Sequence, residues 1–264
     1  MKIWHQSFTE LQQLPAYQDA ITAHIRKAVR PDTEVVLHGV KPGTYPSNYP
    51  GTDIAHASLY TLHATQWITQ ALKASDEGFD AYAMCTLPNP FIREIRSLID
   101  MPVVGYGEAS FHLACMLGHR FGLMIFIAPM TQLYQEQIDL YGLRSRCVGV
   151  KPVGFAFQDV LKAWHDPSEL IERFEKSAQT LIDQGADVII PGEMPLNILL
   201  AANGVTRIKG VQIMDGIAVT LKMAESLVDL KKSVGLTQSR HGWLGSKPSR
   251  ERVDQILEFY GLSI

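Results

Sequence analysis

Cysteine, threonine and glutamate stand at the ends of two apolar segments, where a side chain could take up or release a proton. Cys85 and Thr86 follow the segment DAYAM, and Glu193 follows DVIIPG. Burial can raise the pKa of a glutamate into the range of a general acid or base, and a thiolate can serve the same purpose. A threonine hydroxyl is too weak an acid for this, but it can hold a carboxylate or a developing oxyanion. These three are the candidate catalytic residues.

The composition excludes several classes of partner. The chain has 264 residues, of which 46% are hydrophobic, and a formal net charge of −3 with Lys and Arg scattered along it. This distribution argues against nucleic-acid and membrane partners, and no apolar run reaches the roughly 18 residues of a membrane span. The three cysteines lack CxxC spacing, which favours buried thiols over a disulfide framework or a zinc site. We expect a cytoplasmic protein that binds a small molecule.

Short β-rich segments alternate with longer amphipathic ones. The predicted strands are KIWHQ, TEVVLHGV, FDAYAM, PVVGYG, RFGLMIF, VGVKPVGF, ADVIIPG and VQIMD. The predicted helices include residues 56–77, 109–118, 168–185 and 216–230. This alternation predicts an α/β fold with mainly parallel sheets flanked by helices, and such folds bind ligands beyond the carboxyl ends of strands. We therefore expect site residues after KIWHQ, DAYAM, PVVGYG, VGVKPVGF and DVIIPG.

The chain also repeats itself. EGFDAYAMCTLPN is similar to QGADVIIPGEMPLN, and each is followed by an apolar strand, a glycine-bearing loop and an apolar helix. The repeat predicts two pseudo-symmetric lobes with the active site in the cleft between equivalent strand ends. We expect residues 1–108, joined by the C-terminal segment 216–264, to form the first lobe. Residues 109–215 would form the second.

With these motifs the sequence resembles the aspartate/glutamate/hydantoin racemase superfamily, nearest its hydantoin racemase branch. The segments that carry the resemblance are GFDAYAMCTLPNPFIREIRSLIDMPVVGYGEASFHLACMLGHRFGLM, GADVIIPGEMPLN and GVQIMDGIAVTLKMAESLV. The resemblance implies two pseudo-symmetric α/β lobes, no cofactor and assembly as a homo-oligomer. It also implies two facing cysteines, one per lobe, that move protons on opposite sides of an acidic carbon.

This chain departs from the family pattern at both cysteine positions. Equal steps from Gly78 and Gly185 place Thr86 and Glu193 where the resemblance implies the cysteines. Because successive strand side chains point to opposite faces, Cys85 would then turn toward the core, although a shift of one residue would reverse the two. Glu193 opposite Thr86 fits one-sided proton transfer, decarboxylation or water activation at least as well as racemisation. A mixed pair of Cys85 and Glu193 could still act from two sides.

Each catalytic candidate also has a structural interpretation. Glu193 could be an acidic residue favoured by the positive end of a helix. Thr86 could cap a helix that begins near Pro90, and Cys85 could be an inert buried thiol.

Other polar residues near strand ends are candidates for binding the substrate. Histidine pairs spaced by seven residues lie about 10 Å apart along a helix, too far to share one metal ion, so we predict no metal site. The predicted substrate-binding residues are His5, Gln6, Ser7, Tyr45, Ser47, Asn89, Glu108, His112 and Met194.

These observations lead to one functional expectation with two alternatives. The first is a cofactor-independent racemase or isomerase that transfers a proton on a small carboxylate or hydantoin-like substrate. The second is a hydrolase or a lyase, such as a decarboxylase, that acts on a related cyclic amide, imide or carboxylate with Glu193 as general base. The third is a non-catalytic binder of a small ligand, because both cysteine positions have changed.

Overall fold

A computed structural model describes residues 1–47, 49–164 and 166–262, and it contains two β-sheets. All pairings in the first sheet are parallel, in the order β2-β1-β3-β4. Its strands are β1 (Lys2–Gln6), β2 (Glu34–His38), β3 (Ala81–Met84) and β4 (Val103–Gly105).

The second sheet repeats this strand order. Its order is β6-β5-β7-β9-β8, so the first four strands follow the pattern of the first sheet, and only the β8–β9 pair is antiparallel. Its strands are β5 (Phe121–Ile125), β6 (Cys147–Pro152), β7 (Val188–Pro191), β8 (Arg207–Ile208) and β9 (Val211–Ile213). The prediction of an α/β fold with two similar, mainly parallel lobes is confirmed, whereas β8 was not predicted.

Helices connect and cover the strands. They are α1 (Pro15–Ala28), α2 (Gly51–Ile54), α3 (Ala57–Asp76), α4 (Ile92–Leu98), α5 (Tyr106–Leu117), α6 (Thr131–Leu140), α7 (Phe157–Lys162), α8 (Ser168–Asp183), α9 (Met194–Ala202), α10 (Gly216–Val234), α11 (Gly242–Gly245) and α12 (Arg250–Phe259). In α8 the buried residues Leu170, Phe174, Ala178 and Leu181 recur at helical spacing, and this helix packs on β5, β6 and β7. None of the helices in the described ranges is long and apolar enough to cross a membrane.

The central strands of both sheets are buried along their whole length. All four residues of β3 (AYAM) and all four of β7 (VIIP) are shielded from solvent. Strands of parallel sheets covered by helices are continuously apolar for this reason, instead of alternating. Both strands therefore deliver the residues that follow them into the interior of the molecule.

The C-terminal part of the chain returns to the first lobe. α10 packs on β3, β4 and α5, and the Arg240 guanidinium donates hydrogen bonds to the carbonyl of Ile99 (2.6 Å) and to the Asp100 carboxylate (2.7 Å). α5 contacts strands of both sheets. The lobe limits at residues 108 and 215 stay a prediction, although sheet membership changes between β4 and β5.

Candidate active site

A small cavity lies between the two lobes at the carboxyl ends of their central strands. Its polar lining consists of Ser7, Thr9, Tyr49, Thr86 and Glu193. Apolar side chains complete the wall, among them Phe8, Ile54, Phe126, Tyr134 and Phe157. The cavity volume is about 60 Å³, several-fold below the ~300–1,000 Å³ of typical small-molecule sites.

Thr86 and Glu193 occupy equivalent positions in the two lobes. Beyond β3, the Cys85 backbone N–H donates to the carbonyl of Gln6 in β1 (2.9 Å). Beyond β7, the Gly192 N–H donates in the same way to the carbonyl of Met124 in β5 (2.7 Å). The next residue along each chain segment is Thr86 or Glu193, and both side chains line the cavity.

The Glu193 carboxylate is held by the end of the neighbouring parallel strand, β5, in its own lobe. Glu193 is the N-cap residue of α9, but its side chain makes no capping hydrogen bond to that helix. Instead Oε1 accepts a hydrogen bond from the backbone N–H of Phe126, just beyond β5, at 2.7 Å. Oε2 is buried and has no hydrogen-bond partner among the described residues. A helix-capping function therefore does not explain this carboxylate.

Burial raises the pKa of Glu193 to about 8, because the charged form loses its hydration. Backbone hydrogen bonds from Phe126 and Ile127 lower this pKa, but by less than burial raises it. The carboxyl group is therefore mostly protonated at neutral pH and ionises in the mildly alkaline range. A group poised in this range can both accept and donate a proton.

Thr86 lies in an irregular segment braced by Asn89. The Asn89 side chain donates from Nδ2 to the carbonyl of Thr86 (2.9 Å) and accepts at Oδ1 from the N–H of Glu108 (3.0 Å). The interpretation of Thr86 as a helix cap is wrong, because α4 begins only at Ile92, after an N-cap at Phe91. Asn89 thus supports the segment from behind and does not line the cavity.

Cys85 lies between the cavity and the core. The residue exposes none of its surface and belongs to the main hydrophobic cluster, although it also borders the cavity. Burial raises the pKa of the Cys85 thiol well above its usual value, so the thiol is uncharged at neutral pH. A neutral thiol of this kind packs as a small apolar side chain.

Two of the predicted binding residues, His5 and Gln6, are the last residues of β1 and are buried away from the cavity wall. His5 is fully buried, its Nε2 lies 3.4 Å from the sulfur of Met194, and burial lowers its pKa to about 4. Gln6 uses its side chain within the lobe, since Nε2 donates to the carbonyl of Gly39 (3.1 Å) and Oε1 accepts from the indole of Trp4 (2.9 Å). Neither residue reaches the cavity.

Ser7 and Met194 do line the cavity. The Ser7 hydroxyl accepts a hydrogen bond from the N–H of Thr9 at 3.1 Å, which leaves its own hydrogen available. Met194 begins α9 directly after Glu193, so its position follows from the same strand end.

The structure places the remaining predicted binding residues elsewhere. Tyr45 is buried against His63, and Ser47 is exposed and accepts from the N–H of Tyr49. Glu108 forms an ion pair with Arg96. His112 is exposed and packs edge-on to a tyrosine ring. β4, which precedes Glu108 and His112, therefore contributes no residue to the cavity wall in the described part of the chain.

The end of β5 was not among the strand ends predicted to carry site residues. The backbone N–H of Phe126 binds the Glu193 carboxylate, and a backbone donor leaves no trace in residue type. Phe126 is the last residue of a clear predicted strand, RFGLMIF, and the strand order of the two sheets makes that strand equivalent to KIWHQ. The lining by Phe157 also emerged only from the structure, because it depends on how a short helix folds over the cleft.

The described residues contain no group of three or more His, Cys, Asp or Glu side chains that could hold a metal ion.

Fold and cavity together define a two-lobed α/β protein whose cleft is built from equivalent strand ends. The family described as Asp/Glu/Hydantoin racemase matches residues 16–224. The chain therefore belongs to this family, which confirms the resemblance found in the sequence and supports a racemase-like enzyme of the isomerase class.

Named relatives agree with this assignment. The chain is 28% identical to the hydantoin racemase of Pseudomonas sp. (strain NS671) over 210 residues, which cover 78% of this chain and 79% of the relative. The allantoin racemase of Klebsiella pneumoniae superposes with a TM-score of 0.76 at 24% identity, covering 95% and 94% of the two chains. The allantoin racemase of Pseudomonas fluorescens gives 0.74 at 24% identity, covering 94% and 97%. At this identity, the two structures show the fold.

Proposed function

We propose that this protein is a cofactor-independent enzyme that transfers a proton at a carbon next to a carbonyl group of a small carboxylate or hydantoin-like substrate. The observation that carries the proposal is the Glu193 carboxyl, which is buried at the cleft and has a pKa raised to about 8. Glu193 would act as the general base that removes the proton and as the acid that returns it. Proton transfer by one positioned group contributes about 10²–10⁴-fold to rate.

The cavity lining favours an uncharged ring over a charged amino acid. Among the described residues, no Lys, Arg or His side chain lines the cavity. Apart from Glu193 and the Cys85 thiol, its polar side chains carry hydroxyls, which match the carbonyl and N–H groups of a cyclic amide, whereas a buried substrate carboxylate without a cation is costly. The names hydantoin racemase and allantoin racemase both denote substrates that contain the hydantoin ring. We therefore place a hydantoin-type ring first among the substrates.

Among the described residues, the rest of the cavity wall supplies no group that titrates in the working range. Thr86 offers a hydroxyl that can orient the substrate or hold an oxyanion, and the Cys85 thiol stays protonated. Proton transfer from the Glu193 side alone would exchange the substrate proton with solvent and return it mostly to the same face. Racemisation requires that the second proton come from the other side, for which Cys85 is the nearest candidate.

A lyase is the second candidate function. Glu193 is mostly protonated at neutral pH, and that is the form needed to deliver a proton to a carbanion left by decarboxylation. A one-sided donor would give a single enantiomer. The decarboxylase would therefore use Glu193 first as a proton donor, whereas the first proposal uses it first as a proton acceptor.

The test is a solvent-exchange assay with enantiopure 5-substituted hydantoins and small α-substituted carboxylates in D₂O. Deuterium at the ring carbon, measured by NMR above the rate without enzyme, supports the proposal, and chiral chromatography separates exchange with retention from racemisation. Loss of CO₂ would establish the lyase, and ¹⁸O from labelled water in the product would establish a hydrolase. Binding without exchange or turnover across both series would reject the enzyme in favour of a binding protein.

A further inference from the structure

Tyr49 and Phe157 meet across the cavity, one from each lobe. Tyr49 lies in the loop between β2 and α2, whereas Phe157 begins α7. Their rings stack with centroids 5.7 Å apart and planes inclined by 15°, and both rings line the cavity together with Glu193. This contact brings a phenol to the same space as the carboxyl group. It also accounts for part of the small volume of the cavity.

The Tyr49 ring packs directly against the backbone of Gly51. A Cβ atom on Gly51 would lie 2.1 Å from Cζ and 2.2 Å from the hydroxyl oxygen of Tyr49, so only glycine permits this ring position. The backbone of Gly51 is not in the left-handed region, and its conformation alone does not require glycine. Glycine at position 51 is therefore needed to make room for the Tyr49 ring and not to allow an unusual backbone conformation.

A buried carboxylate anchors the loop that carries Tyr49. Glu10 is 1% exposed, and its two carboxylate oxygens accept hydrogen bonds from the backbone N–H groups of Gly43 (3.1 Å) and Tyr45 (3.0 Å). Charge-assisted bonds to backbone donors are stronger than neutral ones. The start of the loop is thus tied to the first lobe, four residues before Tyr49.

The other tyrosine hydroxyls near Glu193 are already engaged. Tyr106 donates to the carbonyl of Pro191 at 2.5 Å, and Tyr134 lies 3.6 Å from the sulfur of Met130. A phenol is a better donor to a developing oxyanion than an aliphatic hydroxyl, because its proton is more acidic. Among the described aromatic hydroxyls, Tyr49 is therefore the one placed to serve a ligand in the cavity.

We propose that Tyr49 is a further catalytic residue, whose phenol donates a hydrogen bond to the substrate carbonyl oxygen while Glu193 removes the proton from the adjacent carbon. This inference rests on the proposed function. In the step, the C–H pair becomes the C=C bond of an enolate, the carbonyl π pair moves to oxygen, and the proton resides on Glu193. The phenol keeps its own proton, because burial first and the Glu193 charge second raise the pKa of Tyr49 to about 12.

The test compares Tyr49→Phe with Tyr260→Phe, a change that removes an exposed hydroxyl of the C-terminal segment away from the cavity. Loss of one oxyanion donor costs about 10²–10³-fold in kcat. We expect a loss of that order in the exchange rate for Tyr49→Phe, with KM changed by less than about threefold, and less than about twofold change for Tyr260→Phe. Gly51→Ala should lower kcat, because it displaces the ring. Combined with Tyr49→Phe, it should add little further loss.

A binding measurement provides a readout without turnover. Barbiturate is a planar ring anion that resembles the enolate, whereas hydantoin resembles the neutral substrate. We expect Tyr49→Phe to weaken barbiturate binding about 10–100-fold and hydantoin binding by less than about threefold in calorimetry, since transition-state donors favour the charged form. Equal barbiturate binding, or unchanged kcat, overturns the assignment of Tyr49. If the wild-type protein binds neither ring and exchanges no substrate, the proposed function itself fails, and the Tyr49 assignment fails with it.

Discussion

The ends of β3 and β7 have the same backbone arrangement but different chemistry. At both, the residue after the strand donates its N–H to the neighbouring strand, and the following side chain turns into the cavity. In the first lobe that side chain is Thr86, and in the second it is Glu193. The two-fold scaffold therefore provides two equivalent faces, and only one of them holds a group that titrates near neutral pH.

Packing explains why the preceding residues also differ. A Cβ atom at Gly192 would lie 2.6 Å from the carbonyl oxygen of Met124 and 2.8 Å from the Leu87 side chain of the other lobe, so this position requires glycine. The equivalent residue of the first lobe is Cys85, whose side chain fits into the core. The lobes thus approach each other asymmetrically, with Leu87 pressed against Gly192. Exchanging the residues at the ends of β3 and β7 between the lobes would therefore disturb this packing.

The largest effect should come from removing the titratable group, the carboxyl of Glu193. We expect Glu193→Gln to lower the exchange rate by about 10²–10⁴-fold, because glutamine can still accept the Phe126 N–H but cannot carry a proton. The measurement is deuterium incorporation by NMR under identical conditions. Glu136→Gln is the control, because Glu136 is exposed, bonds to Gln132 on the same helix and does not line the cavity. Activity above a tenth of wild type in Glu193→Gln would show that the chemistry lies elsewhere.

The pH profile should follow the same carboxyl group. The base must be ionised, so we expect kcat/KM for proton abstraction to fall about tenfold per pH unit below an apparent pKa near 8 and to level off above it. A decarboxylase would show the opposite limb, because it needs the protonated form. A profile flat from pH 6 to 9 in both assays would contradict the assignment of Glu193.

The opposite face should tolerate the loss of sulfur better than the loss of the hydroxyl. We expect Thr86→Val to lower turnover by about 10–100-fold, because an oxyanion or orienting donor is removed without loss of volume. Cys85→Ala should change turnover by less than about threefold, and Thr86→Ser should restore most of the activity. The reverse order of Thr86→Val and Cys85→Ala would place the thiol at the substrate and favour a two-sided racemase.

The sequence predicted the fold well because its signals are local. Apolar strands such as DVIIPG and amphipathic helices such as α8 carry their own pattern, and the internal repeat predicted two similar lobes, which share a strand order in the structure. The equivalence of Thr86 and Glu193 followed from equal spacing after a glycine. The wall of the cavity could not be predicted in this way, because it depends on how distant segments meet.

Two residues illustrate that limit. His5 stands at a strand end in the sequence, but it is fully buried with its ring against the sulfur of Met194 and does not line the cavity. Tyr49 lies in a Pro- and Gly-rich loop, and its position depends on Gly51 and on a ring from the other lobe. Neither arrangement is encoded in local residue pattern.

The smallest expected effect concerns the pH dependence of thermal stability, which should differ between variants of Glu193 and of Thr86. In the folded protein Glu193 stays protonated up to about pH 8, whereas in the unfolded chain its pKa is near 4.5. Between these two pH values the folded state therefore binds more protons than the unfolded state. The free energy of unfolding should therefore fall as pH rises through this window. Relative to wild type, Glu193→Gln should gain several degrees of Tm between pH 5 and pH 9, at about 2–4 °C per kcal/mol for a chain of this size. Thr86→Val, which removes no titratable group, should keep a constant Tm difference from wild type across the same range. Parallel curves for all three proteins would mean that the carboxyl is not buried in solution.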